Sequence, residues 1–151
     1  MQLEEYKKVI SNAITKEVES YTFYKAIHDK VKDPALKSMF KELADEETKH
    51  RQLLEGYLSG TGKKLHFNEA KDYKMAKGIE KPAPTVDMKP IQGIELAIKR
   101  EEEAMNMYVQ FATLSTDAGQ KDVFQELAKM ELGHKARLED IYTNMAFPEA
   151  W

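Results

Sequence analysis

The chain carries an internal duplication, and this limits its fold more than any other feature. Residues 10–54 lie on residues 94–138 without a gap, and 15 of the 45 aligned positions are identical. Matched pairs include Ile10/Ile94, Ala13/Ala97, Ile14/Ile98, Glu19/Glu103, Asp33/Asp117, Lys37/Lys121 and Phe40/Phe124. The run Glu42-Leu43-Ala44 returns as Glu126-Leu127-Ala128. Two copies at so long a spacing do not make a solenoid. They predict a duplicated helical hairpin: two hairpins and four helices in a single domain over residues 1–151.

Local signals divide the chain accordingly. A first helix is expected from about Leu3 to about Lys30, and Asp33-Pro34 then offers an N-cap and a first-turn proline for a second. The second ends near Leu58, before Ser59-Gly60-Thr61-Gly62. A third runs from Pro90 to about Ser115. Thr116-Asp117-Ala118-Gly119 is the next turn, and a fourth helix continues to about Ala146 before Pro148. The hairpins therefore cover about 3–58 and 90–146, with a polar crossover of about 59–89 between them. A helical turn is expected near Asn68–Ala76. A connection of nearly 30 residues is long for a compact domain. It is long enough to travel the height of a helix of about 25 residues at about 1.5 Å per residue.

The duplication also repeats chemistry. Glu47-Thr48-Lys49-His50 and Glu131-Leu132-Gly133-His134 are two Glu-x-x-His motifs, each preceded by a glutamate 30 residues upstream, Glu17 and Glu101. Each upstream glutamate is followed seven residues later by a tyrosine, Tyr24 and Tyr108. Helical spacing sets these groups within apolar stripes. The stripes read Ile10, Ala13, Glu17, Tyr21, Tyr24; Leu36, Phe40, Leu43, Glu47, His50, Leu54, Tyr57; Ile94, Ala97, Glu101, Met105 or Ala104, Tyr108, Phe111; and Phe124, Leu127, Glu131, His134, Leu138, Ile141, Met145. Four uncompensated carboxylates cannot stay charged in a core. Two divalent cations balance them charge for charge, and the i, i+3 spacing puts an imidazole beside a carboxylate. Oxygen and imidazole donors suit iron or manganese better than a thiolate-seeking metal.

Composition narrows the classes further. The chain has no cysteine, so disulfides, cysteine-ligated metal sites and a thiol nucleophile are excluded. A net charge of -3 gives no basic surface for nucleic acid or an anionic membrane. No apolar run reaches the roughly 20 residues of a membrane span, and the N-terminus shows no secretory pattern, so a cytoplasmic location is expected.

On the paired Glu-x-x-His motifs and their upstream glutamates, the chain resembles the rubrerythrin-type branch of the ferritin-like superfamily over about Leu3–Met145, the crossover apart. The resemblance implies an all-α, ferritin-like four-helix bundle with one long crossover between the second and third helices. It implies two iron ions per chain, with manganese or zinc as substitutes. Glu47 and Glu131 would bridge the metals, Glu17 and Glu101 would be terminal ligands, and His50 and His134 would each hold one metal. Tyr24 and Tyr108 would hydrogen-bond the ligand carboxylates. Two departures stand out. The rubredoxin-like four-cysteine iron site of full-length rubrerythrins has no counterpart, so electrons would come from a rubredoxin-like protein or a small reductant. The family's additional glutamate, three residues after the ligand on the third helix, is Ala104 here. That puts in doubt the redox-linked ligand exchange that helps rubrerythrin reduce peroxide.

The expected function is oxidation of bound Fe(II) by H₂O₂ or O₂, as a peroxide reductase or ferroxidase in a homodimer. The alternatives are a non-catalytic iron-binding or storage module, a di-metal oxygenase, and a bundle in which metals act only as staples. Other polar residues read otherwise. His28 belongs to the hairpin end and His66 to an exposed crossover, while Asp45, Glu46, Glu19, Glu102 and Glu103 are outer-face charges. Met105, Met107, Met130 and Met145 are packing residues. Trp151 is a dimer anchor or a loose tail.

Overall fold

The computed structural model describes residues 1–60, 64–80 and 89–146. Pro148 and Trp151, and the parts of the crossover at 61–63 and 81–88, lie outside them. The described residues form four α-helices and one 3-10 turn, with no strand among them. The helices are α1 (Leu3–Lys30), α2 (Pro34–Ser59), α3 (Pro90–Leu114) and α4 (Ala118–Ala146). By chain contacts there are two compact units: Met1–His66 with Ser115–Gln120, and Phe67–Leu114 with Lys121–Trp151.

In the first unit, α1 and α2 pack as a hairpin. Asp33 caps α2 as its sequence predicts, accepting hydrogen bonds from the backbone N–H groups of Ala35 (2.8 Å) and Leu36 (3.2 Å). Lys37 Nζ donates to the His28 carbonyl at 2.7 Å, which closes the turn and confirms His28 as a hairpin-end residue. α2 stops at Gly60, whose φ of 77° is a left-handed conformation that glycine adopts without Cβ strain. Ile10, Ala13, Tyr24 and Ile27 of α1 are buried, as are Phe40, Leu43, Ala44 and Leu54 of α2. Each large apolar side chain buried in this way contributes about 1.5–3 kcal/mol. Tyr21 departs from its predicted place on the core face: it is 39% exposed. It lies four residues beyond Glu17, about 40° further round the helix, at the edge of the stripe.

In the second unit, Ile94, Ala97, Ile98, Ala104 and Tyr108 of α3 are buried, as are Phe124, Leu127, Leu138 and Ile141 of α4. The rings of Phe111 and Phe124 meet with centroids 5.3 Å apart. Asp117 Oδ1 accepts from the Gln120 N–H at 2.9 Å at the start of α4. Met130 is buried, but Met107 is 40% exposed and is not a packing residue. It precedes buried Tyr108 by one position, so it points about 100° off the core face.

Between Phe67 and Met75 the crossover is tied to α4 through polar groups. Glu126 accepts from the Phe67 N–H at 3.0 Å. Glu139 accepts from Tyr73 N–H at 3.3 Å and from Met75 N–H at 2.9 Å. Lys135, fully buried, donates to Asp72 and, at 3.2 Å, to Glu139. These anchors set where the segment turns. The helical turn is a 3-10 turn at Met75–Gly78, whereas residues 64–74 are not helical, contrary to the expectation for Asn68–Ala76.

Lys135 is the centre of this clamp. Burial disfavours its charge, but the hydrogen bonds to Asp72 and Glu139 outweigh burial and raise its pKa above the usual lysine value. Burial likewise opposes the Asp72 charge, and the bonds from Lys135 and the Lys74 N–H still hold its carboxyl below the ordinary value. Asp72 therefore adds stability in full above 3.8, lost as pH falls through its lowered folded value. Lys135 adds stability in full below 10.5, lost as pH rises through its raised folded value. Lys135→Met leaves the Glu139 carboxylate buried without its cation. The expected loss is about 3–5 kcal/mol in urea unfolding at neutral pH. A loss under about 1 kcal/mol, the range of an exposed ion pair, would contradict the clamp.

Candidate metal centre

All four predicted glutamates are buried: Glu17, Glu47 and Glu131 completely, and Glu101 to within 3%. Each sits in the middle of its helix, where the apolar stripe continues on both sides, so the backbone fixes its depth. In the first unit, Glu17 on α1 meets Glu47 and His50 on α2. One donor atom from each lies within 4.8 Å of the others. His50 Nδ1 is 3.9 Å from Glu17 Oε2. In the second unit, Glu101 on α3 meets Glu131 and His134 on α4, again with donor atoms within 4.8 Å of one another. His134 Nδ1 stands 3.6 Å from Glu101 Oε2 and 3.9 Å from Glu131 Oε1. The duplication in sequence is thus a duplication of a carboxylate–carboxylate–imidazole triad.

The donor set fits divalent metal. Donors about 2.0–2.2 Å from one shared ion lie roughly 3–4 Å apart, as these nitrogen–oxygen pairs do. Two buried carboxylates per triad supply the charge that one divalent ion offsets, while leaving the imidazole neutral and able to donate a lone pair. Tyr24 and Tyr108 are 1% and 2% exposed, on α1 with Glu17 and on α3 with Glu101.

The triads differ in their surroundings. The His50 side chain is 17% exposed and that of His134 only 2%. Ala104, three residues after Glu101, is buried, Glu102 is half-buried and Glu103 is exposed. No further carboxylate joins the second triad among the described residues. Asp45 and His66 are exposed and Glu46 is half-buried, in keeping with non-ligand roles.

Several polar residues escaped the sequence reading: Glu126, Lys135, Glu139 and Asp72 of the crossover clamp, and Thr48 and Arg51 near the first triad. The duplication held a signal for the clamp. Glu126, Lys135 and Glu139 of the second copy are matched by Glu42, Arg51 and Glu55 of the first, so charge recurs at all three places. Only the crossover decides which copy is buried.

No helix among the described residues is long and apolar enough to cross a membrane. Comparison with functionally curated proteins gives no match. A solved structure described as a hypothetical protein from Pyrococcus furiosus is similar, with 26% identity and a TM-score of 0.63 over 96% of this chain and 94% of that one. The family profile described as rubrerythrin matches residues 8–142. That span takes in most of α1 and α4, all of α2 and α3 and both triads, and with it the chain belongs to the rubrerythrin family, ferritin-like helical bundles of the di-iron carboxylate type.

Proposed function

We propose that this chain is an oxidoreductase that oxidises Fe(II) held at Glu17, Glu47, His50, Glu101, Glu131 and His134, with H₂O₂ or O₂ as electron acceptor. The observation that carries the reading is the pair of matched, buried triads. When bound, a pair of iron ions supplies reversible electron transfer between the ferrous and ferric states. The chain's own residues do the rest. The glutamates and histidines fix the donors before any ion arrives, and the surrounding apolar side chains keep bulk water out. Glu47 and Glu131 would serve as the bridging ligands and Glu17 and Glu101 as the terminal ones. Tyr24 and Tyr108 hold carboxylate orientation. Electrons enter from a rubredoxin-like protein or a small reductant. The working form is a cytoplasmic homodimer.

A di-metal oxygenase would need an apolar substrate pocket beside the donors. The cavity that reaches Glu17 and Glu47 is small, about 300 Å³, and is lined by Thr48 and Arg51 as well as Val18 and Tyr21. Storage in a ferritin-style shell would show as a very large particle in sizing chromatography.

The test is anaerobic Fe(II) titration, then rapid mixing with H₂O₂ and separately with O₂, following ferric absorbance. Two irons per chain with faster oxidation by peroxide supports the peroxidase form. Faster oxidation by O₂ supports the ferroxidase form. Absence of stoichiometric iron binding would defeat the proposal.

A further inference from the structure

The duplicated hairpins are unequal on their outer faces. In the second, Lys135 is fully buried and engaged by Asp72 and Glu139. Its match in the first hairpin, Arg51, has a side chain 41% exposed, with Nε in an ion pair 3.3 Å from Glu55 Oε1. Beside Arg51 is a cavity of about 300 Å³ between α1 and α2, lined by Glu17, Val18, Tyr21, Glu47, Thr48 and Arg51. Two triad residues, Glu17 and Glu47, are among its lining residues, and their carboxylate oxygens lie just beyond the reach of solvent. Its rim includes Val18 and Tyr21, 40% and 39% exposed.

We infer that this cavity is the port through which a small polar ligand of the metal centre enters, and that Arg51 positions it. The inference rests on the metal-binding reading above. A volume of about 300 Å³ is at the small end for ligand pockets. It admits a molecule of a few atoms, such as a peroxide or a small anion. A guanidinium carries five N–H donors, the contact with Glu55 is at Nε, and Arg51 lines the cavity, so its remaining donors are the ones that would meet a small anion there. Thr48 keeps its hydroxyl on the Ala44 carbonyl at 3.3 Å and presents little bulk to the passage. Tyr21, misplaced on the core face by periodicity, becomes a rim residue. The matching positions of the second hairpin are Glu102, Met105, Leu132 and Lys135. There the cation is already engaged by the crossover, and that copy offers an internal control.

The experiment uses iron-loaded, air-oxidised protein and azide, a linear three-atom anion. Iron content is measured first, then the rate and affinity of azide binding by absorbance. Thr48→Trp is expected to slow azide binding by about tenfold or more at unchanged iron content, as closing a gate does. Val18→Trp, at the exposed rim, is expected to do the same and covers the case in which Thr48→Trp does not fold. Leu132→Trp, the matched change on α4, should leave the rate at wild type. Arg51→Gln should weaken azide by about tenfold, the scale of one hydrogen bond to a charged group, and Arg51→Lys should recover most of it. Wild-type azide rates in both Thr48→Trp and Val18→Trp would overturn the port, as would equal slowing by Leu132→Trp. Unchanged affinity in Arg51→Gln would overturn the role of Arg51. Failure of the wild type to hold iron would overturn the metal centre itself, and it is read before azide is added.

Discussion

Glu47→Ala is expected to remove stoichiometric iron binding and to reduce peroxide- or O₂-driven Fe(II) oxidation by more than about a hundredfold. The scale follows from position. Groups that merely orient ligands typically change metal affinity or activity by about 10–100-fold, and Glu47 is itself a buried donor within 4.8 Å of Glu17 and His50. Glu131→Ala, its counterpart in the second triad, should behave alike. Glu103→Ala removes an exposed carboxylate two residues from Glu101 and should leave both quantities unchanged. Anaerobic titration and rapid mixing measure all three. A Glu47→Ala protein that still holds two irons per chain and turns over normally would show that the triads are not the centre.

The second large effect is on stability. Without cations, the fold holds four buried carboxylates whose mutual repulsion and desolvation oppose folding. An ion that binds only the folded chain stabilises it by about 4 kcal/mol at a thousandfold excess over its dissociation constant. For a chain of this size each kcal/mol raises the melting temperature by about 2–4 °C. Two ions together should therefore raise it by roughly 15–30 °C. Removal with chelator under reducing conditions should reverse this. Glu131→Gln should melt higher than wild type when both are metal-free, yet gain less from added Mn(II) or Fe(II). Identical melting with and without metal would contradict the charge argument.

The helices and their ends were legible because local chemistry marks them. Asp33-Pro34 is both the written cap and the observed one, and Gly60 is both the expected stop and the residue with positive φ. The triads were legible because the duplication wrote them twice at the same spacing. The crossover was not. Its conformation is set by Glu126, Lys135 and Glu139, contributed by α4 about 60 residues later, and nothing within residues 64–80 announces that. Tyr21 and Met107 were misassigned for a related reason. Periodicity gives the direction of a stripe but not its width, and width is decided by what packs against the helix. The opening beside Thr48 and Arg51 had no sequence signal, since an opening is defined by what does not cover it.

The crossover anchors have one consequence for how such a chain varies. At Tyr73 and Met75 the group that Glu139 holds is a backbone N–H, and every residue except proline carries one. The attachment is therefore indifferent to side-chain identity at those two places. The demand for a particular residue is transferred to α4, to Glu126, Lys135 and Glu139. Relatives of this chain are free to rewrite much of residues 67–75 and keep their path, provided that those three helix positions, the Asp72 carboxylate that Lys135 holds and the absence of proline at the anchored residues persist. A segment that looks unconstrained in sequence would then still be fixed in space, with its address held on another helix.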